Sequence, residues 1–182
     1  IAGKHLLELG HRHFLYLPGP KYNLSQTRRY AGIMDALSEA NVPASNIREI
    51  DYHTVFGSSA ESTSSYKPYE ELFFPVNYTA VIGFNDLQSY SAMEILQKKG
   101  YRIPEDISLI SFDHLRKTHT YLPPLTSIAD NSEKSIADTA VSILLDKIRN
   151  PSSEISSEVL PVSIFDDHTT GPINETFAHS FE

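Results

Sequence analysis

The 182-residue chain has no cysteine. That excludes a disulfide framework, a thiolate metal site and a cysteine nucleophile, and it fits a reducing compartment, the cytoplasm. No apolar run approaches the roughly 18 residues of a membrane span, and Ile1 to Gly10 is too short and too charged for a secretion signal. No membrane address is read. An excess of basic charge is missing too: 15 Lys and Arg stand against 23 Asp and Glu, a formal net charge of −8. A nucleic-acid backbone would be repelled, and no basic stripe overcomes this locally, so these residues themselves are not read as a nucleic-acid grip. The sequence also holds no nucleophile-elbow glycine-serine pattern, no phosphate-binding glycine loop and no dinucleotide fingerprint. Neither an enzyme nor a cofactor is expected, and no internal repeat is seen.

What is present reads as one folded core. Forty per cent apolar residues with mixed charge describe a globular chain near the size of one domain or one two-lobed unit. It opens without methionine inside a helical pattern, which reads as a piece of a longer protein. Ala2 to Leu9 has helical spacing, with Gly10 placed as a left-handed C-cap. Phe14 to Leu17 reads as a strand running into the Pro18-Gly19-Pro20 loop. Ser25 precedes a helix from about Gln26 to Ala40. Ile47 to Ile50 is a strand candidate, followed by a Ser-rich stretch from Gly57 to Ser65 and a short helix around Tyr69 to Phe73. Ala80 to Phe84 and Ile107 to Phe112 are the clear strands, with a helix from Leu87 to Lys99 between them: one βαβ crossover. A helix from about Ser132 to Arg149 carries a broad apolar face that something must cover. Val159 to Ile164 supplies a last strand, and Asn174 to Glu182 reads as a frayed tail.

Strands alternating with helices predict an α/β fold, a doubly wound and mostly parallel sheet, in which ligands bind beyond the carboxyl ends of the strands. Those ends gather Asn85 and Asp86, Asp113 and His114, and the Pro18 to Pro20 loop leading to Ser25 and Arg29. Amide, carboxylate and guanidinium together suit a polyhydroxylated ligand, with an aromatic such as Tyr52 or Phe56 to cover a sugar's apolar face. Plainer readings stand beside this one. Asp86 immediately before a helix reads first as its N-cap, Asn85 is open between cap and contact, Asp113 could simply turn the chain, and Arg29 could be a solvated helix face. His11, His13, His114 and His119 match no helical metal-ligand spacing and read as surface histidines, so no metal is expected.

Four ordered blocks, "LLELGHRHFLYLPGP", "SQTRRYAGIMDAL", "AVIGFNDLQSYSAMEILQKKGYRIPEDISLISFDH" and "YLPPLTSIADN", resemble the effector-binding domain of LacI/GalR-type bacterial transcription regulators, whose fold is that of type I periplasmic sugar-binding proteins. The resemblance implies an effector held between two lobes, with DNA bound only through an N-terminal helix-turn-helix that these residues do not include. It makes residues 1–127 the C-terminal lobe, 128–158 a crossover and a helix belonging to the N-terminal lobe, 159–172 a returning strand and 173–182 a flexible tail. The apolar face of the 132–149 helix would then lack its cover, and is expected to be disordered, rearranged or buried against another copy. Family contacts to effector hydroxyls fall on Arg29, Asn85 and Asp113, and a stacking aromatic falls near Phe56, in a Tyr52 to Pro75 stretch that departs from the family in length and serine content. His114 stands where a second aspartate is common, and Asp130 replaces the usual amide or base. Tyr90 and Tyr121 fall at the family's dimer interface, implying a homodimer. Two rivals are kept: a sugar-binding receptor of a transport system, and a small hydrolase using Asp113 and His114.

Overall fold

The computed structural model describes residues 1–50, 69–132, 135–154 and 157–179. In chain order these form α1 (Ala2–Glu8), β1 (Phe14–Leu17), α2 (Leu24–Glu39), β2 (Ile47–Glu49), β3 (Ala80–Gly83), α3 (Asp86–Lys98), β4 (Ser108–Phe112), β5 (Ser127–Asp130), α4 (Ile136–Arg149), β6 (Val162–Phe165) and α5 (Glu175–Ala178). The strands make one six-stranded sheet in the order β2-β1-β3-β4-β5-β6. All pairs are parallel except β5 with β6. The doubly wound, mostly parallel α/β sheet expected from the alternation of elements is therefore the architecture found.

Both sheet faces are covered, which is why β1 and β3 are apolar at every position rather than at every second one. Side chains still alternate. Phe14, Tyr16, Ala80, Ile82 and Ile110 pack with Leu6 of α1 and Ile33 and Leu37 of α2, while Leu15, Leu17, Val81 and Leu109 pack with Ala92, Met93 and Leu96 of α3. Gly10 ends the α1 region at φ +95°, a conformation open to glycine at little cost.

Several boundaries move for identifiable reasons. α2 starts earlier than read because Asn23, not Ser25, is its N-cap: the Asn23 side chain accepts from the Ser25 and Gln26 amides. α3 is capped by Asn85, whose Oδ1 accepts from the Gln88 amide at 3.0 Å, and Asp86 is the first helical residue rather than the cap. The segment at 69–73 is a 3-10 turn. At residues 174–179, read as a tail, a short helix forms: Asn174 caps α5 and donates from Nδ2 to the Glu105 carbonyl, while Phe177 meets the Tyr101 ring edge-on at 5.9 Å. Phe177 and the Asn174 side chain tie this segment to the Tyr101 and Glu105 region. His11 is buried at 2% exposure, bonded to Thr79 Oγ1, Ser108 Oγ and the Gly171 carbonyl. It is a core histidine, not a surface one.

α4 forms as a helix capped by Ser135, yet Ile136, Val141, Leu144, Leu145 and Ile148 are all exposed. Its position follows from topology. Asp130 at the end of β5 lies opposite Val162 at the start of antiparallel β6, so the excursion between them leaves and re-enters the sheet at the carboxyl rim. A helix linking parallel neighbours must cross the sheet face; one between antiparallel neighbours need not. The 136–149 segment is helical, with Ser135 Oγ accepting from the Asp138 amide, and among the described residues nothing covers its apolar face.

Candidate functional site

The carboxyl ends of β1, β3, β4 and β5 meet at one rim, and the first loop there is held from two helices. Gln26 Oε1 of α2 accepts from the Tyr16 hydroxyl at 2.8 Å and from the Gly19 amide at 2.7 Å, while Gln88 Nε2 of α3 donates to the Pro18 carbonyl at 3.0 Å. Gly19 lies so close to Phe84 that a Cβ would fall 2.6 Å from ring carbons, which only a residue without a side chain avoids.

Early capping of α2 by Asn23 sets Arg29 one and a half turns into the helix, facing this rim. Its Nη1 donates to the Phe84 carbonyl at 2.5 Å and its Nη2 donates to Asp113 Oδ1 at 3.1 Å. The guanidinium carbon also lies 4.8 Å from the Phe84 ring centre and 4.5 Å from that of Phe112, within cation–π range. Arg29 is thus fixed by two hydrogen bonds and two rings. A half-exposed ion pair adds only about 0–1 kcal/mol to stability, so so much restraint on one side chain orients donors more than it stabilises the fold.

Asn85 follows Phe84 directly. Its Oδ1 accepts the α3 cap bond, so it acts as a cap, and its side-chain amide still carries two N–H donors and a second acceptor lone pair. Asp113 and His114 sit at φ +100° and +49°, and two consecutive non-glycine residues there cost on the order of 1–3 kcal/mol each. Such strain persists only where the surroundings over-determine it. The Asp113 amide donates to the Ile128 carbonyl, the His114 amide to Ser127 Oγ, and the His114 ring stacks on Phe165 at 4.2 Å. Asp130, at the end of β5, accepts from the Ser132 amide at 2.8 Å and from the Ser132 hydroxyl, which hold its carboxyl below the usual range.

Arg29, Asn85 and Asp113 are therefore neighbours on one rim, through Arg29's bonds to Asp113 and to the carbonyl before Asn85. Phe56 and Tyr52 lie outside the described residues. Tyr90 and Tyr121 lie away from the rim. Tyr90 donates to the Pro123 carbonyl at 3.1 Å, its phenol pushed up to about 12 by burial, and lines a 760 Å³ groove with Leu87, Met93, Leu122 and Pro123. Tyr121 is 81% exposed and meets the His119 ring edge-on. Among the described residues no group of three or more His, Asp and Glu is placed to hold a metal ion. Nor is any described helix long and apolar enough to cross a membrane. Sequence reasoning passed over Phe84, Phe112 and Gln26. The two phenylalanines read as strand ends and the glutamine as a helix residue, although Asn23 with Gln26 three positions on is a helix-start signature.

The Periplasmic binding protein-like domain family matches residues 4–170. The chain belongs to that family. Within it, the chain is an effector-binding domain of LacI/GalR regulator type. The HTH-type transcriptional repressor PurR of Escherichia coli O139:H28 is 34% identical over 165 residues, 88% of this chain and 46% of that protein. The PurR repressor of Mannheimia succiniciproducens is 33% identical over 149 residues, 81% and 42% respectively. The chain thus spans less than half the length of these curated relatives. Among solved structures, a LacI family transcriptional regulator from Enterococcus faecium with bound ribose superposes with TM-score 0.73 at 26% identity, covering 95% of this chain and 61% of that one. A dimeric Lac repressor gives TM-score 0.73 at 26% identity, covering 95% and 60%.

Proposed function

We propose that this chain is the effector-sensing part of a bacterial transcription regulator, binding a small carbohydrate at the rim formed by Arg29, Asn85 and Asp113. The observation that carries the reading is the pre-set Arg29, anchored to the Phe84 carbonyl and Asp113 beside the donor amide of Asn85. Fixed donors next to a carboxylate match the alternating donor and acceptor roles of ring hydroxyls. The ribose bound to one structural neighbour and the D-xylulofuranose bound to another, from Alkaliphilus metalliredigens, support a sugar.

The excursion that holds α4 starts and ends at this same rim, and its apolar face has no cover among the described residues. On this reading α4 belongs to a second lobe that closes over the mouth, and the effector sits between the two. Closure shifts the DNA affinity of a reader domain outside this chain by the effector's differential affinity for the two lobe arrangements. Two copies pair along α3 and the loop at 121–124, with Tyr90 and Tyr121 in the contact, and the protein works in the cytoplasm.

The test is thermal-shift and titration of the intact regulator against pentoses, hexoses and purine bases, with operator binding measured in parallel. Arg29→Ala is expected to abolish the effector response and leave operator binding in place. A purine as the sole ligand would overturn the carbohydrate part; an unchanged response in Arg29→Ala would overturn the site.

A further inference from the structure

Beneath the rim lies a buried polar seam. Asp86, 1% exposed, accepts from the Leu115 amide at 2.6 Å through Oδ2 and from the Ser127 hydroxyl at 2.8 Å through Oδ1. Ser127 Oγ in turn accepts from the His114 amide at 3.0 Å. The nearby Ser111 hydroxyl, which accepts from Ser89 at 2.9 Å, further favours the charged carboxylate. Two consecutive backbone amides after β4 are therefore tied to one carboxylate, Leu115 directly and His114 through a serine. They follow immediately on Asp113, whose positive φ is the strained step at the strand end.

We propose that Asp86 is the positioning residue of the effector rim: by anchoring the His114 and Leu115 amides it sets the left-handed turn that presents Asp113 to Arg29. The proposal rests on the reading of that rim as the effector site, but the anchoring itself is independent of any ligand. The geometry requires two acceptor oxygens at this position. Burial raises the Asp86 carboxyl's pKa, and the Leu115 and Ser127 donors, with the Ser111 hydroxyl, oppose that rise, so the group is held by the donors it organises. An asparagine of the same shape can still accept from Leu115 and donate to the Ser127 hydroxyl, which reverses its role. An alanine removes both acceptors and leaves the Leu115 amide and the Ser127 hydroxyl without the carboxylate. Asp86 is also the first residue of α3, so the helix carrying Tyr90 and the turn carrying Asp113 share one anchor.

The experiment uses the full 182-residue chain without ligand, comparing wild type, Asp86→Ala and Ser127→Ala by amide hydrogen exchange and by the nitrogen-15 signals of the Arg29 guanidinium. In wild type, Arg29 should show slowed guanidinium rotation. In Asp86→Ala the His114 and Leu115 amides should exchange at least about tenfold faster and the Arg29 signals should average, while Leu15 and Ile110 amides in the strands hold. Should Asp86→Ala fail to fold, Ser127→Ala carries the test: His114 exchange and Arg29 rotation should quicken while Leu115 stays protected. Faster exchange at the turn with Arg29 unchanged, in whichever variant folds, reduces Asp86 to a brace for the turn and overturns the proposal. So does exchange that does not change at all. A protein that shows the coupling yet binds no tested sugar or purine retains this inference and loses only the functional reading.

Discussion

Helices α3 and α4 are of nearly equal length, 13 and 14 residues, and both are amphipathic, the apolar stripe of α4 being the more pronounced. Seven residues of α3 are buried; in α4 only Thr139 is. The difference does not lie in the helices. α3 joins β3 to β4, parallel neighbours in the sheet, and the connection must cross the sheet face and press its apolar side onto it. α4 joins two antiparallel neighbours, and nothing in that connection brings the helix over a face. An amphipathic pattern states that a partner is needed; topology decides whether the chain supplies it.

Substitutions can break or sharpen this contrast. The largest effect is expected at Leu96, fully buried on α3 between helix and sheet. Leu96→Ala should lower the unfolding free energy by about 2–5 kcal/mol, read from urea denaturation. A loss as small as that of a surface site would mean that α3 is no better packed than α4.

The next effect concerns pH and belongs to the built body alone. Burial lowers the His11 pKa from 6.5 to about 4; His5 and Arg12 push it the same way and the Gly171 carbonyl opposes them. The unfolded chain then binds the proton first. Stability is fully present above pH 6.5 and falls as pH drops from 6.5 toward 4, by on the order of 3 kcal/mol in all. Asp106, Asp130 and Asp166, whose pKa values are lowered from 3.8, act mainly below that window. Urea midpoints at pH 7.5 and 4.5 should differ in the wild type and converge in His11→Gln; equal midpoints in the wild type would contradict the buried network.

The smallest effect is expected at Leu144, 58% exposed on α4. Leu144→Ala should change the chain's own stability by no more than about 0.5 kcal/mol. A loss comparable to that of Leu96→Ala would show that α4 already has its cover within the chain.

Much of the fold was legible because its signals are local. β1 and β3 are uninterrupted apolar runs, Gly10 stops α1, and strands alternate with helices, which restricts the topology to parallel crossovers. At the rim, the strand-end rule brought Arg29, Asn85 and Asp113 together correctly as neighbours. It did not separate the jobs of Asn85 and Asp86. Either residue can cap a helix, and which one does depends on what buries the other. Asp86 is drawn inward by Leu115 and Ser127, both far along the chain, and Asn85 is left to cap. His11 was read as a surface residue for a similar reason: its partners Thr79, Ser108 and Gly171 are distant in sequence, and nothing near it signals burial.

Composition and pattern by themselves determined that the chain folds, that its sheet is doubly wound and mostly parallel, and where polar groups interrupt apolar strands. These follow from periodicity and backbone geometry, which act over a few residues. Tertiary structure alone decided that Arg29 is held between Phe84, Phe112 and Asp113, that Asp86 is buried as an anchor, and that α4 projects from the rim instead of lying on the sheet. Each of those outcomes depends on which distant segments meet, and burial with hydrogen bonding settles that only once the strands have found their order.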